Sequence, residues 1–317
     1  GDEIVGGEVL LWFIRHLVTY GTTNADLSRL LDSVDVTIVP MINPDAFLAG
    51  TRNTSQNYDM NRSFYPDRCG TTNQPAEPVT EVENLKTFLA EPGFDAVVFM
   101  HGGALVVSTP YDDECTYHGR RRPARGPEDN LYTYMGKKFA SANSMIQTSG
   151  FFHNDVVNGA QWYSISGSAQ AWALNRTRAA LVLTFEVSSD KAPDHAEIGR
   201  TYWNANLPAL TDFLAAVRMG VYLTVRYADG GAVREARAEI ATARLTTIRM
   251  MADDPDREGK TVFAREDGTL FRMLPPGMWM VLITAPGHPG VVRSFTITEE
   301  APTAAFDIVM ERIIIRQ

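Results

Sequence analysis

The sequence predicts two folds in succession: an α/β domain whose mixed, mostly parallel sheet carries helices on both faces, then a small all-β sandwich. Two observations support this prediction. Residues 1–219 alternate apolar runs of strand length with segments of helical spacing, which is typical of a parallel-type sheet. Residues 220–317 contain about seven short segments, several alternating apolar and polar, separated by Gly, Pro and Asp turns. We therefore predict one domain over residues 1–219 and another over 220–317.

The bulk composition excludes several classes of protein. Hydrophobic residues make up 44% and charged residues 21% of the 317 residues, as in an ordinary globular protein. A formal net charge of −9 argues against a nucleic-acid partner, because phosphate binding requires a basic surface. No apolar run is long enough to span a membrane, so we predict no transmembrane segment in this chain.

The first third of the chain is predicted to contain two helices and a strand. Residues 3–20 have helical spacing and are apolar nearly all round, so we expect a buried helix. A second short helix is predicted over residues 24–33. The apolar run at residues 34–41 predicts a buried strand, which Asn43-Pro44 ends by turning the chain.

The rest of the α/β domain continues the alternation. The apolar run at residues 94–100 predicts a central parallel strand, residues 105–111 continue extended, and residues 179–185 predict another buried strand. Residues 163–172 form a Gly/Ser-rich turn region. Further helices are predicted over residues 78–90, 128–146 and 195–219.

Two chemically useful side chains follow predicted strands. His101 comes where the run at residues 94–100 ends, and Glu186 comes directly after residues 179–185. Ligands of open α/β sheets bind beyond the carboxyl ends of the strands. Taken singly, the His would be a structural residue and the Glu a surface residue. Their common placement favours a functional site.

A long polar loop, residues 43–62, follows the predicted strand at 34–41. It holds Arg52 and Arg62 among asparagines and ends in Asp-Met-Asn-Arg, a combination suited to receiving an anion. A planar guanidinium binds a carboxylate through two parallel hydrogen bonds, and a neighbouring amide adds another. The alternative is a solvated loop whose charges have no specific role.

Residues 50–64 (GTRNTSQNYDMNRSF) resemble the substrate-carboxylate loop of zinc metallocarboxypeptidases, in the branch that contains carboxypeptidases D, E, M and N. The Arg-Asn start, the Asp-x-Asn-Arg end and the nine-residue step from Arg52 to Asn61 all match. That branch also places a small transthyretin-like β-sandwich after a carboxypeptidase-like α/β domain. The resemblance therefore covers essentially the whole chain.

The resemblance implies one zinc ion as cofactor. The family holds its zinc through a His-x-x-Glu motif and a later His. Glu3 matches the glutamate and His101 the later His, whereas the first His would precede Gly1. We therefore expect the chain to be truncated, to lack the first strands of the domain, and to have little activity as given.

The resemblance also assigns roles to residues in the loop and beyond it. Glu186 matches the catalytic glutamate that takes a proton from zinc-bound water and returns it to the leaving amine. Arg52 matches the arginine that stabilises the developing oxyanion. Asn61 and Arg62 match the pair that holds the free C-terminal carboxylate of the substrate. Tyr163 matches the mobile tyrosine that closes over the substrate.

Specificity is expected to depend on Asp112 and Gln170, which match positions lining the pocket for the substrate's C-terminal side chain. An acid there selects Lys or Arg by charge pairing in a partly desolvated site. Asp113 is the alternative if the register slips by one residue. An exposed acidic turn without a role in binding is the other explanation for this stretch.

The combined expectation is a zinc carboxypeptidase that removes C-terminal Lys or Arg from peptides and works in the extracellular or secretory compartment. The alternative is a catalytically inactive family member or fragment that serves as a peptide-binding or structural module. Two cysteines, Cys69 and Cys115, allow either one bridge between loops or two free thiols.

Overall fold

The computed structural model describes residues 1–67, 74–90, 93–114, 116–117, 120–121, 128–150, 152, 155–242 and 262–311. Cys69 and Cys115 lie outside these described residues. The chain forms two compact units, residues 1–217 and residues 218–317, which are described separately below.

Unit 1 alternates helices and strands along the described chain. Its helices are α1 (Ile4–Tyr20), α2 (Ala25–Leu31), α3 (Pro44–Ala49), α4 (Thr80–Ala90), α5 (Asp129–Ala142), α6 (Ser144–Ser149), α7 (Gly159–Trp162), α8 (Ala169–Arg176), α9 (His195–Glu197) and α10 (Trp203–Ala216). A 3₁₀ turn covers Met60–Arg62, and a π-helical turn, Ile198–Tyr202, joins α9 to α10. Its strands are β1 (Ala96–His101), β2 (Ala104–Thr109), β3 (Thr116–Tyr117), β4 (Arg120–Arg121), β5 (Val156–Asn158) and β6 (Leu181–Ser188).

The main sheet of unit 1 has the strand order β1-β6-β2-β5. The pairs β1–β6 and β2–β5 are parallel and the pair β2–β6 is antiparallel, which confirms the mixed, mostly parallel sheet. The prediction of a central strand at residues 94–100 was wrong. Among the described strands β1 pairs with β6 only, and its side chains are half-buried, whereas every residue of β2 is buried.

Two groups of helices cover this sheet. Helices α5 and α10 contact each other, and Phe185 of β6 lies against Phe139 of α5 and Phe213 of α10, with ring centroids 3.8 and 5.1 Å apart. Helix α8 contacts β6, β1 and α4 instead. The sheet is thus held between packed helices, and its strand ends are left to form a site.

The predicted strand at residues 34–41 was wrong. This segment is not part of any described ladder, and its residues alternate between half-buried and exposed. A strand needs a neighbour that supplies ladder hydrogen bonds, and apolar side chains alone do not provide it. Asn43 does end the segment as expected, because its side chain accepts the Ala46 N–H and begins α3.

Helix α1 is less buried than its composition predicts. Val5, Val9 and Phe13 are buried, whereas Val18 is 78% and Leu11 50% exposed. Its apolar character therefore exceeds the one face that the fold covers. No helix in the described part of the chain is both long enough and apolar enough to cross a bilayer.

The predicted turn at residues 163–172 contains a helix start. Helix α7 ends at Trp162 and α8 begins at Ala169, because the Ser168 side chain accepts the Ala171 N–H at 3.1 Å and caps the new helix. Trp172, which the sequence places in the turn, therefore lies within α8. This cap fixes the position of Gln170, which lies in the first turn of α8.

Unit 2 is all-β, as predicted. Its strands are β7 (Gly220–Tyr227), β8 (Arg237–Thr242), β9 (Val262–Phe263), β10 (Thr269–Met273), β11 (Gly277–Thr284), β12 (Val291–Ile297) and β13 (Thr303–Met310). They form sheets of order β10-β7-β13 and β12-β11-β8-β9. Buried side chains alternate along both sheets, as at Val221 and Leu223 of β7 and at Val281 and Ile283 of β11, which indicates a shared core.

Candidate functional site

His101 and Glu186 lie side by side at the edge of the main sheet. They are register partners at the ends of the parallel strands β1 and β6. Glu186 also faces Val106 of the antiparallel strand β2 and is only 9% exposed. Parallel pairing brings the carboxyl ends of two strands that are distant in sequence to one place. The strand β6 continues to Ser188, so Glu186 lies within the sheet rather than beyond it.

Glu3, the residue that precedes α1, lies at the same edge of the sheet. Its Oε2 lies 2.8 Å from Nδ1 of His101 and accepts the Gly102 N–H at 3.3 Å. The sequence separation of 98 residues between Glu3 and His101 is closed by the packing of α1 on β1.

Arg52 joins this cluster from the polar loop. Its guanidinium donates to Glu3 Oε1 at 3.3 Å, and its Nε and a terminal nitrogen both lie 2.8 Å from Asp59 Oδ2. Asp59 in turn accepts the Asn61 N–H at 3.0 Å, so one carboxylate orients both the guanidinium and the 3₁₀ turn at Met60–Arg62. Asp59 was not among the predicted site residues, although it lies in the Asp-x-Asn-Arg motif.

Lys191 and Asp2 complete the cluster and were also missed. The Lys191 ammonium donates to Glu3 Oε1 at 2.9 Å and to Asp2 Oδ2 at 3.0 Å. Lys191 lies five residues after Glu186 in a short polar loop, with no motif to mark it. The proximity of that loop to the start of α1 could have been inferred only from the fold.

The ionisation of the cluster follows from burial and from its internal hydrogen bonds. Burial raises the pKa of Glu186 to about 7, the negative charge of Glu3 adds to this effect, and the cationic neighbours oppose it. Burial alone would also raise the pKa of Glu3, but hydrogen bonds from His101 and Lys191 lower it well below the usual range. Burial lowers the pKa of His101, yet its hydrogen bond with Glu3 and the Glu186 charge make the net shift upward.

The cluster partly fits a zinc ion. Glu3 Oε2 and His101 Nδ1 are an oxygen and a nitrogen donor of the kinds zinc binds, and Glu186 Oε2 is buried without a hydrogen-bond partner among the described residues. The cluster holds more acidic side chains than permanently charged cationic ones, which would favour a cation. The charged groups are Asp2, Glu3, Asp59, Glu186, Arg52 and Lys191.

A catalytic zinc usually has three protein ligands and one open position. The described residues contain no group of three His, Cys, Asp or Glu side chains arranged to hold a metal ion. Glu3 and His101 stay predicted zinc ligands, one fewer than a catalytic zinc usually has.

Asn61 and Arg62 are both held by main-chain contacts. The Asn61 side-chain oxygen accepts the Ala169 N–H at the start of α8 at 2.9 Å, and the Arg62 guanidinium donates to the Asn61 carbonyl at 2.8 Å. These contacts connect the polar loop to α8, the helix that carries Gln170.

Asp112 and Gln170 form a buried pair. Gln170 Nε2 donates to Asp112 Oδ1 at 2.8 Å, and Gln170 Oε1 is buried with no hydrogen-bond partner from any described residue. Burial raises the pKa of Asp112 to about 6; Asp113 adds to the rise, and Ser168 and the charges of His101 and Arg62 oppose it. Asp112 and Asp113 are both buried, so this stretch is not an exposed acidic turn.

Close packing around Asp112 requires glycine at position 159. A Cβ placed on Gly159 would lie 2.0 Å from Asp112 Oδ1, so any other residue would displace the carboxylate. Tyr163, four residues further on, is 49% exposed and packs edge-on against Trp162, with ring centroids 5.0 Å apart. The exposed ring of Tyr163 thus lies close in sequence to the residue that shapes the Asp112 pocket.

The sequence of this chain is similar to those of known carboxypeptidases. A family model described as zinc carboxypeptidase matches residues 1–209. Carboxypeptidase D of Anas platyrhynchos is 28% identical over 316 residues, covering 94% of this chain and 21% of that protein. Carboxypeptidase M of Mus musculus is 28% identical over 317 residues, covering 94% of this chain and 67% of that protein. The chain thus spans about a fifth of the length of the carboxypeptidase D relatives.

Solved structures share the fold of unit 1. Thrombin-activatable fibrinolysis inhibitor aligns with a TM-score of 0.53 at 18% identity, covering 68% of this chain and 61% of that chain. The bovine protein in complex with tick carboxypeptidase inhibitor gives 0.52 at 18% identity, covering 68% and 77%. The family model covers well over half of the 317 residues. The chain therefore belongs to the zinc carboxypeptidase family.

Proposed function

We propose that the protein containing this chain is a zinc-dependent carboxypeptidase that hydrolyses the C-terminal residue of peptides, preferably Lys or Arg. The observation that carries the proposal is the convergence of Glu3, His101, Glu186 and Arg52 at one edge of the sheet. An extracellular or secretory location, as the resemblance implies, is part of the same proposal.

Glu3 and His101 would hold the zinc ion, which would replace the hydrogen bond between their donor atoms. When bound, zinc would polarise the scissile carbonyl and make a nearby water more acidic.

Glu186 is the general base. A pKa of about 7 suits a group that must accept a proton from water and then return it to the leaving amine near neutral pH. Its Oε2 can accept that proton, because it has no hydrogen-bond partner in the part of the chain that the structure describes. The peptide bond breaks when this proton reaches the amine, so each cycle leaves Glu186 as it began.

Arg52 stabilises negative charge as it develops on the carbonyl oxygen. Asp59 and Glu3 hold its guanidinium in place, so little reorganisation is needed during the reaction. Asn61 and Arg62 bind the substrate's terminal carboxylate, which restricts cleavage to the last peptide bond. Tyr163 has the exposure needed to close over a bound substrate.

The preference for Lys or Arg rests on Asp112 and Gln170. A cationic side chain would pair with the Asp112 carboxylate and satisfy the unpartnered Gln170 Oε1. Asp113 is equally buried and is the alternative acid.

The small number of metal donors supports a second candidate function. The described residues offer two of them, and Lys191 already neutralises Glu3. Both features would suit a family member that binds peptide C-termini without cleaving them. The same clamp and pocket would then serve recognition alone.

One experiment separates the two functions. Purified protein is tested with zinc and a peptide ending in Arg, with a matched peptide ending in Ala, before and after chelation. The enzyme releases Arg in a zinc-dependent manner, and His101→Ala loses both bound zinc and turnover. Binding of the Arg-ended peptide without hydrolysis, at saturating zinc, would instead establish the binding module.

A further inference from the structure

Both oxygens of Glu3 are already occupied by groups within the protein. Oε1 accepts from Lys191 at 2.9 Å and from Arg52 at 3.3 Å, while Oε2 faces His101 and the Gly102 N–H. Lys191 therefore neutralises one of the two carboxylate oxygens of a proposed metal donor. A metal ion binding at Glu3 has to compete with this ammonium group or bind beside it.

The surrounding residues hold the Lys191 side chain in this position. A Cβ on Gly103 would lie 3.2 Å from Lys191 Cε, and φ of Gly103 is +115°, a conformation that glycine favours, so the glycine leaves room for the lysine chain. Lys191 also accepts the Ile4 N–H through its main-chain carbonyl at 2.9 Å and pairs with Asp2 at 3.0 Å. Its loop and the start of α1 are thus joined by both main-chain and side-chain contacts.

Resting on the function proposed above, we propose that Lys191 acts as an internal counter-cation that lowers the affinity of the Glu3–His101 site for zinc. Removing the ammonium takes away a positive charge 2.9 Å from Glu3 Oε1 and 3.0 Å from Asp2 Oδ2, so a divalent cation is held more strongly once it is gone. Metal loading of this protein is then set in part by a residue that does not bind the metal.

If Lys191 served only to orient Glu3, removing its ammonium group would weaken zinc binding instead of strengthening it. Removing partners of a metal-binding carboxylate usually weakens metal binding about 10- to 100-fold. Here the orientation of Glu3 does not depend on the ammonium alone, because the Gly102 N–H holds Oε2 and Arg52 holds Oε1. The Lys191 carbonyl still binds the Ile4 N–H in any side-chain variant.

The test is calorimetric titration of metal-free protein with zinc chloride at fixed ionic strength. Lys191→Met removes the charge, and Lys191→Gln removes it while keeping a hydrogen-bond donor. Each should bind zinc about tenfold or more tightly than the unmodified protein. The matched control is Lys137→Met, which removes an exposed charge on α5 and should leave the dissociation constant unchanged.

Each result has a definite meaning, because the readout does not depend on turnover. Unchanged or weaker zinc binding in a folded Lys191 variant overturns the counter-cation proposal and leaves the carboxypeptidase function standing. Zinc binding by the variants but not by the unmodified protein supports the proposal in its strongest form. Failure of all the proteins to bind zinc overturns both proposals. Circular dichroism identifies a variant that does not fold, and the other variant then decides.

Discussion

The sheet of unit 1 buries some polar and charged side chains, whereas the sheets of unit 2 mostly expose them. In unit 1, strand β6 is buried along most of its length, and Glu186 and Ser188 are buried with it. In unit 2, strand β7 buries Leu223 and Val225 while Tyr222 and Arg226 are exposed. Burying an ionisable group costs free energy unless it is compensated. The carboxylates of unit 1 therefore indicate a site, whereas the alternation in β7 is explained by packing.

Arg272 is an exception within unit 2. It is 4% exposed on β10, and burial lowers its pKa to about 10. The guanidinium still keeps its charge at neutral pH, since a pKa of about 10 lies well above 7. A buried charge thus suggests function most strongly where several meet, as around Glu3.

The largest effect is expected from replacing Glu186, a buried carboxylate of unit 1. Glu186→Gln keeps the shape of the side chain but removes the base, so we expect hydrolysis of an Arg-ended peptide to fall by about 10²- to 10⁴-fold. Zinc should remain bound through Glu3 and His101, although the loss of the nearby Glu186 charge should weaken the affinity. Turnover within tenfold of the unmodified protein would show that another group acts as the base.

Next in size is the substitution of the pocket acid. Asp112→Ala should reduce the preference for peptides ending in Lys or Arg by about 10- to 100-fold, because a charged hydrogen bond is lost. Cleavage of peptides ending in apolar residues should change less. Asp113→Ala is the matched control, and the ratio of kcat/KM for the two peptides is the measurement. A larger effect from the Asp113 variant would transfer the role to that residue.

A smaller effect is expected from a matched pair of substitutions in unit 2. Val281 is fully buried and Val309 is 64% exposed, and the change to Ala is chemically the same at both. Val281→Ala should lower the free energy of unfolding of unit 2 by about 2 kcal/mol. Val309→Ala should lower it by about 0.5 kcal/mol or less. Urea unfolding measures both; equal losses would contradict the burial pattern described here.

The smallest expected effect is on pH dependence. Burial raises the pKa of Asp112 to about 6, so the acid is neutral below that pH and cannot pair with a cationic side chain. The preference for Arg-ended over apolar-ended peptides should fall about tenfold between pH 7 and pH 5. The ratio of the two kcat/KM values cancels effects that both substrates share. Asp112→Asn should remove this pH dependence.

The raised pKa of Asp112 also makes the stability of the protein depend on pH. Because the pKa of Asp112 is raised from its ordinary value of 3.8, its contribution to stability is present below pH 3.8 and is lost as pH rises through about 6. The Asn variant should therefore unfold with a weaker pH dependence across this window. An unchanged profile would place the titration elsewhere.

Local sequence patterns were sufficient to predict features that depend only on neighbouring residues. Apolar runs located β1, β2 and β6, and the position of His101 at the end of β1 followed from them, whereas β6 continues two residues beyond Glu186. The same reasoning failed at residues 34–41, which have a strand's composition but no ladder, because pairing depends on a neighbour. It also overestimated the burial of α1, since composition does not tell how much of a helix the fold covers.

Sequence by itself determined the alternation of elements, the change to an all-β second unit, and the family whose motif lies at residues 50–64. Only the tertiary structure decided that Lys191, Asp2 and Asp59 surround Glu3 and Arg52. The physical reason is distance along the chain. Hydrophobic periodicity acts over a few residues, whereas the ionisation of a carboxylate depends on charges that folding brings together from segments nearly 200 residues apart.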